Sequence, residues 1–277
     1  MKYLKRFYMF LLLKNNRHID KGVFVFVFNC IALMLGRGVR IEWSSNSSFI
    51  VSDSAIPGMR HHFRHQFHGV VAYRYGLVDR AKQLGQTYFL NQIDFKDGDI
   101  FLDCGANVGD MKLYFHVNDI NIEYIGFEPS PIEFECLKRN VSPSKVFNFG
   151  LWKNKGILPF YISSQKADSG FIEPLEYEDI IEVPTRRLEE FITESIKCLK
   201  LEAEGGEPEV LVGIGDKLDL IEYIAADLGP ERGIHAEETL IPVTNFLLSR
   251  GFVLQDYTAT RGCALYRNTK FDSLLIG

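Results

Sequence analysis

Between Ile100 and Val117 the chain passes from an apolar run into a helical pattern through Asp103-Cys-Gly105-Ala106-Asn107-Val-Gly109-Asp110, and few folds accommodate such a passage. Ile100-Phe-Leu-Asp103-Cys is rich in strand formers and bounded by turn residues, whereas Val108 to Val117 places apolar residues at near-helical spacing. The turn therefore joins the carboxyl end of a strand to the amino end of a helix. Glycines at 105 and 109 let backbone and ligand approach closely, and the first-turn amides are expected to present unpaired donors.

Tyr124-Ile-Gly-Phe-Glu128-Pro129 reads as the next strand, with an acid at its end that can accept both hydroxyl hydrogens of a ribose. A dinucleotide site requires G-x-G-x-x-G, which admits a pyrophosphate. Here the turn reads D-x-G-x-N-x-G-D, and aspartates at 103 and 110 would repel a pyrophosphate. They suit a ligand with an ammonium and a sulfonium, such as S-adenosylmethionine. An NAD-dependent Rossmann oxidoreductase and a non-catalytic nucleoside-binding module stay open as alternatives.

Ser130-Pro-Ile-Glu133 is a capping-box pattern with proline at the first helical position, followed by an apolar stripe of Ile132, Cys136, Leu137 and Val141. Lys145 to Phe149 predicts a third strand and Gly156 to Ile162 an extended segment, while the polar stretch from Ser163 to Asp179 reads as loop. Cys198 to Ala203 predicts a fourth strand. In it Lys200, Glu202 and Glu204 recur with period two and point to one side while the run stays extended. One glutamate there can neutralise Lys200 and the other act as a base. Pro208 opens a helix, Tyr223 to Asp227 is a strand, Thr239 to Arg250 a helix, and two strands follow at Phe252 to Tyr257 and Ala264 to Arg267. The alternation predicts an α/β fold with an open, mostly parallel sheet.

Phe101 to Asp110, Gly126-Phe-Glu-Pro-Ser-Pro131, and Leu199 to Glu207 followed by Glu209-Val-Leu-Val-Gly213 resemble, in order and spacing, the three signature blocks of the FkbM-type methyltransferases. The third block departs in having Glu202 where the family usually carries aspartate. The resemblance implies a class I methyltransferase fold, a doubly wound Rossmann-like sheet with an antiparallel last strand. It also implies O-methyl transfer to a hydroxyl of a sugar or related metabolite, with bacterial surface glycan as the acceptor class. Asp103, Gly105, Ala106, Asn107 and Gly109 would hold the methionine part, Glu128 and Pro129 the ribose, and Asn148 and Phe149 the adenine. Glu204 or Glu202 would serve as base, with Lys200 orienting it; no metal is needed.

Residues 73–277 are expected to form the methyltransferase domain and residues 1–72 an amino-terminal extension. Five cysteines, odd in number and widely spaced, read as buried thiols of a reducing, cytoplasmic setting. The net charge of −5 argues against a nucleic-acid partner. Residues 1–21 carry six Lys or Arg and one Asp around apolar Phe7 to Leu13, and Val23 to Leu35 is again apolar but short for a bilayer span. Two readings of residues 1–35 stand side by side: peripheral contact with an anionic membrane, or packing on the domain or a second subunit as a homo-oligomer. His61, His65 and His68 would share one face of a helix, as a pairing or solvated face rather than a metal site.

Overall fold

The protein is described by a computed structural model covering residues 19–44, 47–163 and 169–275. It opens with α1 (Lys21–Met34), a small antiparallel sheet of β1 (Val39–Trp43), β2 (Phe49–Asp53) and β3 (His61–Phe63), then α2 (Gln66–Tyr73) and α3 (Leu77–Thr87). The strands of the catalytic sheet begin at β4 (Ile100–Cys104), followed by α4 (Met111–Val117), β5 (Glu123–Phe127), α5 (Pro131–Asn140) and β6 (Lys145–Phe147). A three-stranded flap of β7 (Gly150–Leu151), β8 (Gly156–Ile162) and β9 (Asp179–Arg186) comes next. The chain then forms β10 (Ile196–Leu201), α6 (Glu207–Ile214), β11 (Ile221–Asp227), the short β12 (Pro230–Arg232) and β13 (Glu237–Glu238), α7 (Leu240–Ser249), β14 (Phe252–Thr258) and β15 (Cys263–Asn268).

The seven-stranded sheet has the order β14-β15-β11-β10-β4-β5-β6. Strands β6, β5, β4, β10 and β11 run parallel, and β15 enters antiparallel between β11 and β14. This is the class I methyltransferase arrangement, with the reversed last strand that the resemblance implies. Both faces are covered, as a parallel sheet requires. Leu102, Leu199 and Ile224 face one core, while Phe101, Cys198 and Ala225 face the other.

Several local expectations change. Strand β9, unpredicted, pairs with β8 throughout and makes the extended segment a flap. Ser130 does cap α5, but its hydroxyl donates to the Glu133 carboxylate instead of accepting from the backbone. Ile132 is exposed rather than part of the core stripe. Strand β10 ends at Leu201, and Glu204 lies beyond it with φ of 49°, so the period-two projection of the three charged residues ends before Glu204. His61 is on β3, not on a helix with His65 and His68.

The extension is a packed layer. Phe24, Phe28 and Ala32 of α1 join Val39, Ile41, Phe49, Val51, Phe63 and Tyr73 in a core that also includes Leu113 of α4. Among the described residues no helix is long and apolar enough to cross a membrane. The stretch Phe7 to Leu13 lies outside the described residues. All five cysteines are free, and all but Cys30 are buried.

Candidate active site

The turn after β4 is internally bonded. The amides of Gly105 and Ala106 donate to the Phe127 carbonyl, at 3.1 and 3.0 Å, and the Asn107 amide donates to Glu128 Oε2 at 2.7 Å. These three amides of the turn are therefore spent within the fold. Their use locks the turn to the end of β5 and fixes Glu128, whose other oxygen accepts from the Ser130 amide at 2.8 Å. Burial, with Glu133 nearby, pushes the Glu128 carboxyl up to about 8. Gly109, with φ of +86°, allows a different contact. A Cβ there would lie 2.6 Å from Val141, so this glycine serves the close packing of α5.

Register places Lys200 beside Asp103 on one sheet face, both almost fully buried. Lys200 Nζ lies 3.2 Å from Asp103 Oδ1 and 2.7 Å from Glu202 Oε2, and it donates to the carbonyls of Cys104 (3.0 Å) and Gly105 (2.6 Å). Tyr124 donates to the second Asp103 oxygen at 2.6 Å. Burial works against the ammonium, yet Asp103 and Glu202 hold Lys200 above its ordinary value. Burial raises Asp103 against the pull of Lys200, while at Glu202 the lysine prevails over burial and holds the carboxyl down. The Tyr88 ring lies beside this cluster, its centroid 5.8 Å from Lys200 Nζ. The lysine thus ties the tips of β4 and β10 together under the turn.

Beyond β10 the chain bends through Glu204, Gly205 and Gly206. Glu207, buried at the start of α6, pins this bend by accepting from the amides of Ala203 (2.8 Å) and Gly205 (3.1 Å) and from the Thr239 hydroxyl (2.8 Å). At the tip of β11, Asp227 pairs with Arg261 at 2.9 Å.

Asp110 does not offer its charge to a ligand alone. It accepts from Tyr73 (2.6 Å) and Arg80 (2.7 Å), with His61 Nε2 at 2.7 Å and His68 Nε2 at 3.8 Å. Burial opposes its ionisation, but Arg80 and His61 hold the carboxyl well below the usual range. His65 bonds Glu133 at 2.7 Å. The three histidines therefore pair with carboxylates of the catalytic domain, and among the described residues no group of His, Cys, Asp and Glu is arranged to hold a metal ion.

A cavity of about 280 Å³ lies over the carboxyl ends of β4, β5 and β10. Of the residues that the sequence singles out, Gly105, Ala106, Asn107, Glu128, Pro129, Lys200, Glu202 and Glu204 line it. Asp103 and Gly109 sit behind the wall, acting through Lys200 and through packing. Asn148 and Phe149 are not part of the lining. Asn148 donates to the carbonyls of Glu128 and Pro129, and Phe149 packs on Phe127, Phe147 and Phe191. The apolar wall is made instead by Phe127, Leu151, Phe160 and Phe171. Ser163, Ser169 and Gly170, within or beside the polar stretch read as loop, reach the same cavity, and a Cβ on Gly170 would lie 2.9 Å from that of Glu204. Arg80, Tyr88, Glu231 and Arg261 also line it, and no sequence pattern marked them.

Among the described residues six acidic side chains (Asp110, Glu128, Glu133, Glu202, Glu204, Glu231) face this space, against the cations of Arg80, Lys200 and Arg261 and the imidazoles of His65 and His68. An acid excess in a partly enclosed cleft disfavours a pyrophosphate and favours a cation carrying hydroxyls.

Comparison with known proteins gives one family. Residues 103–252, more than half of the chain, match the Methyltransferase FkbM domain. "Methyltransferase 1" of Beauveria bassiana is 25% identical over 190 residues, covering 58% of this chain and 74% of that protein. The 31-O-demethyl-FK506 methyltransferase FkbM of Streptomyces tacrolimicus is 30% identical over 61 residues, 22% of this chain and 24% of that protein. Among solved structures, M. capricolum TrmK in complex with S-adenosylhomocysteine aligns over 66% of each chain with 10% identity and a TM-score of 0.36. The matched segment runs from the last residues of β4 to the start of β14 and so contains the turn, Glu128 and the charged tip of β10. The chain belongs to the FkbM methyltransferase family.

Proposed function

We propose that this methyltransferase takes its methyl group from S-adenosylmethionine and transfers it to a hydroxyl oxygen of a sugar or related metabolite. The observation that carries the reading is the acid-rich cavity built over the glycine turn, with Glu128 fixed at its edge. The donor supplies an electrophilic methyl on a sulfonium, a cation that this lining suits. Glu128, oriented by two amides, accepts the ribose hydroxyls. Phe127, Leu151 and Phe160, rather than Asn148 and Phe149, form the apolar wall for the base. Arg80, braced by Asp110, offers a guanidinium to the carboxylate of the amino-acid end.

Glu202 holds a negative charge on the cavity wall while its lysine partner stays fixed beneath the turn. Glu204, set by the bend and abutting Gly170, is the proton acceptor for the incoming hydroxyl. Alignment of donor and acceptor contributes roughly 7–11 kcal/mol in well-oriented reactions, and a positioned base about 10²–10⁴-fold. The Streptomyces tacrolimicus relative, a 31-O-demethyl-FK506 methyltransferase, has an oxygen in its name, which supports oxygen as the acceptor atom. A surface-glycan sugar is the acceptor class this reading favours.

The test combines binding and turnover. Wild-type protein is expected to bind S-adenosylhomocysteine by calorimetry and to pass labelled methyl to a panel of saccharide acceptors. Glu204→Gln is expected to keep that binding within about twofold and to lose roughly 10²-fold or more in turnover. Full activity of this variant moves the base elsewhere, and absence of binding by the wild type removes the donor assignment.

The raised Glu128 carboxyl gives a pH dependence with a fixed sign. Ribose hydroxyls donate to the ionised form, so below its value of about 8 the free protein must first lose a proton. Affinity for S-adenosylhomocysteine is expected to rise as pH increases from 6 to 8, by up to about tenfold per unit, and to level off above. In Glu128→Gln the slope is expected to vanish. A slope that persists in the variant assigns the titration to another group.

A further inference from the structure

Helix α1 is apolar on all sides. Phe24, Phe28 and Ala32 pack into the extension's core. On the other side Val23, Phe26, Leu33 and Met34 are between 52 and 68% exposed, at the spacing of one helical stripe. A helix that buries one face in a globular protein ordinarily turns polar residues to water on the other. After Lys21, α1 contains no charged residue. A shallow groove of about 380 Å³ runs beside Phe26, Cys30 and Leu33 and ends at Arg40.

Both ends of the helix carry bases against amphipathic rings. Lys21 Nζ sits 4.1 Å from the Trp43 ring centroid at one end, while Arg37 and Arg74 lie 4.3 and 4.9 Å from Tyr75 at the other. Such pairs suit a headgroup layer, where the ring meets acyl chains and the cation meets phosphate. Charge along the chain is divided in the same sense. Residues 1–40 hold eight Lys or Arg and one Asp, whereas residues 41–277 hold 23 Lys or Arg and 35 Asp or Glu. A second copy docking here would bring two such basic segments together, which repel. An anionic lipid surface complements them.

We propose that the outward face of α1 docks on an anionic bilayer, with Phe26, Leu33 and Met34 entering the acyl boundary and Lys21, Arg37 and Arg74 meeting headgroups. Tyr75 marks the depth of insertion at the carboxyl end of the helix. This surface is separate from the cavity, and the inference does not depend on the identity of the methyl donor.

The test is sedimentation of the full chain with vesicles of pure phosphatidylcholine and with vesicles that also contain phosphatidylglycerol. Partitioning is expected onto the anionic vesicles, weakening as salt is raised. Phe26→Ser combined with Leu33→Ser is expected to reduce that partitioning about tenfold with no change in unfolding midpoint, since both side chains are exposed. Three results overturn the proposal: no partitioning of the wild type onto anionic vesicles, equal partitioning of the double variant, or a wild-type dimer in light scattering that the double variant converts to monomer without any vesicle binding.

Discussion

Lys200→Met is expected to lower the thermal unfolding midpoint by roughly 10 °C. The ammonium lies between Asp103 and Glu202, 3.2 and 2.7 Å away, in a place almost closed to water. Removing it leaves the buried Asp103 and the half-buried Glu202 without their cation, and breaking such a site costs about 3–5 kcal/mol, which for a domain of this size corresponds to roughly 2–4 °C per kcal/mol. Two further readouts separate this cause from simple loss of packing. Adding Asp103→Asn to Lys200→Met is expected to recover part of the loss, because one of the stranded charges disappears. The deficit of the single variant is also expected to shrink at acid pH: an uncompensated buried carboxyl has a raised value in the folded state, so stability lost at neutral pH returns as the group takes up its proton. A midpoint within a degree or two of wild type would show that the lysine is not what neutralises the site.

Gly105→Val is expected to weaken binding of S-adenosylhomocysteine by about 100-fold or more. The residue has φ of +70°, where a β-branched side chain is strained, and its Cβ would run into the carbonyl oxygen of Glu202. The turn and the tip of β10 would have to separate, carrying Lys200 and Glu202 away from the cavity they line. Gly98→Val provides the control. Gly98 also has a positive φ, +87°, but a Cβ there meets nothing within 4 Å. That variant is expected to lose stability from backbone strain alone and to bind as wild type does. Equal binding by Gly105→Val and wild type would mean that the approach of β4 and β10 is not needed for the donor site.

The strand, turn and helix around Asp103 were legible because each local signal agreed with the next. Apolar run, glycine spacing and helical stripe all lie within residues 100–117, and the acid at Glu128 follows at the end of the next strand. The pair of Asp103 and Lys200 depends on which strands are neighbours and in what register, and residues 97 apart in sequence show neither. The same holds for Asp110. Its partners His61, His68, Tyr73 and Arg80 come from β3, α2 and α3, and a run of histidines read with helical periodicity concealed that one of them belongs to a strand. Glu204 leaves the alternation of the strand for a local reason carried by the sequence itself. Gly205 and Gly206 follow it, and paired glycines after a strand mark a turn that ends the alternation of sides. Strand β9 begins where a polar stretch stops, and Asp179, Glu182 and Pro184 break up its short inward face of Ile181, Val183 and Thr185 in the sequence. Resemblance alone puts Asn148 and Phe149 at the adenine. Phe149 is instead absorbed by an aromatic cluster with Phe127, Phe147 and Phe191, which no one-dimensional pattern reveals.

The aspartate that follows the glycine turn has a consequence for how this molecule can be divided. Its counter-charges and hydroxyl partner are supplied from both sides of residue 72, the boundary that the sequence leads one to expect between extension and domain. A fragment cut there would keep the methyl-transfer fold in outline yet strip a sunken anion of two imidazoles at the mouth of the donor cavity. The leading layer is in this sense a wall of the reaction chamber, and shortening the gene at its visible seam would open the chamber on that side.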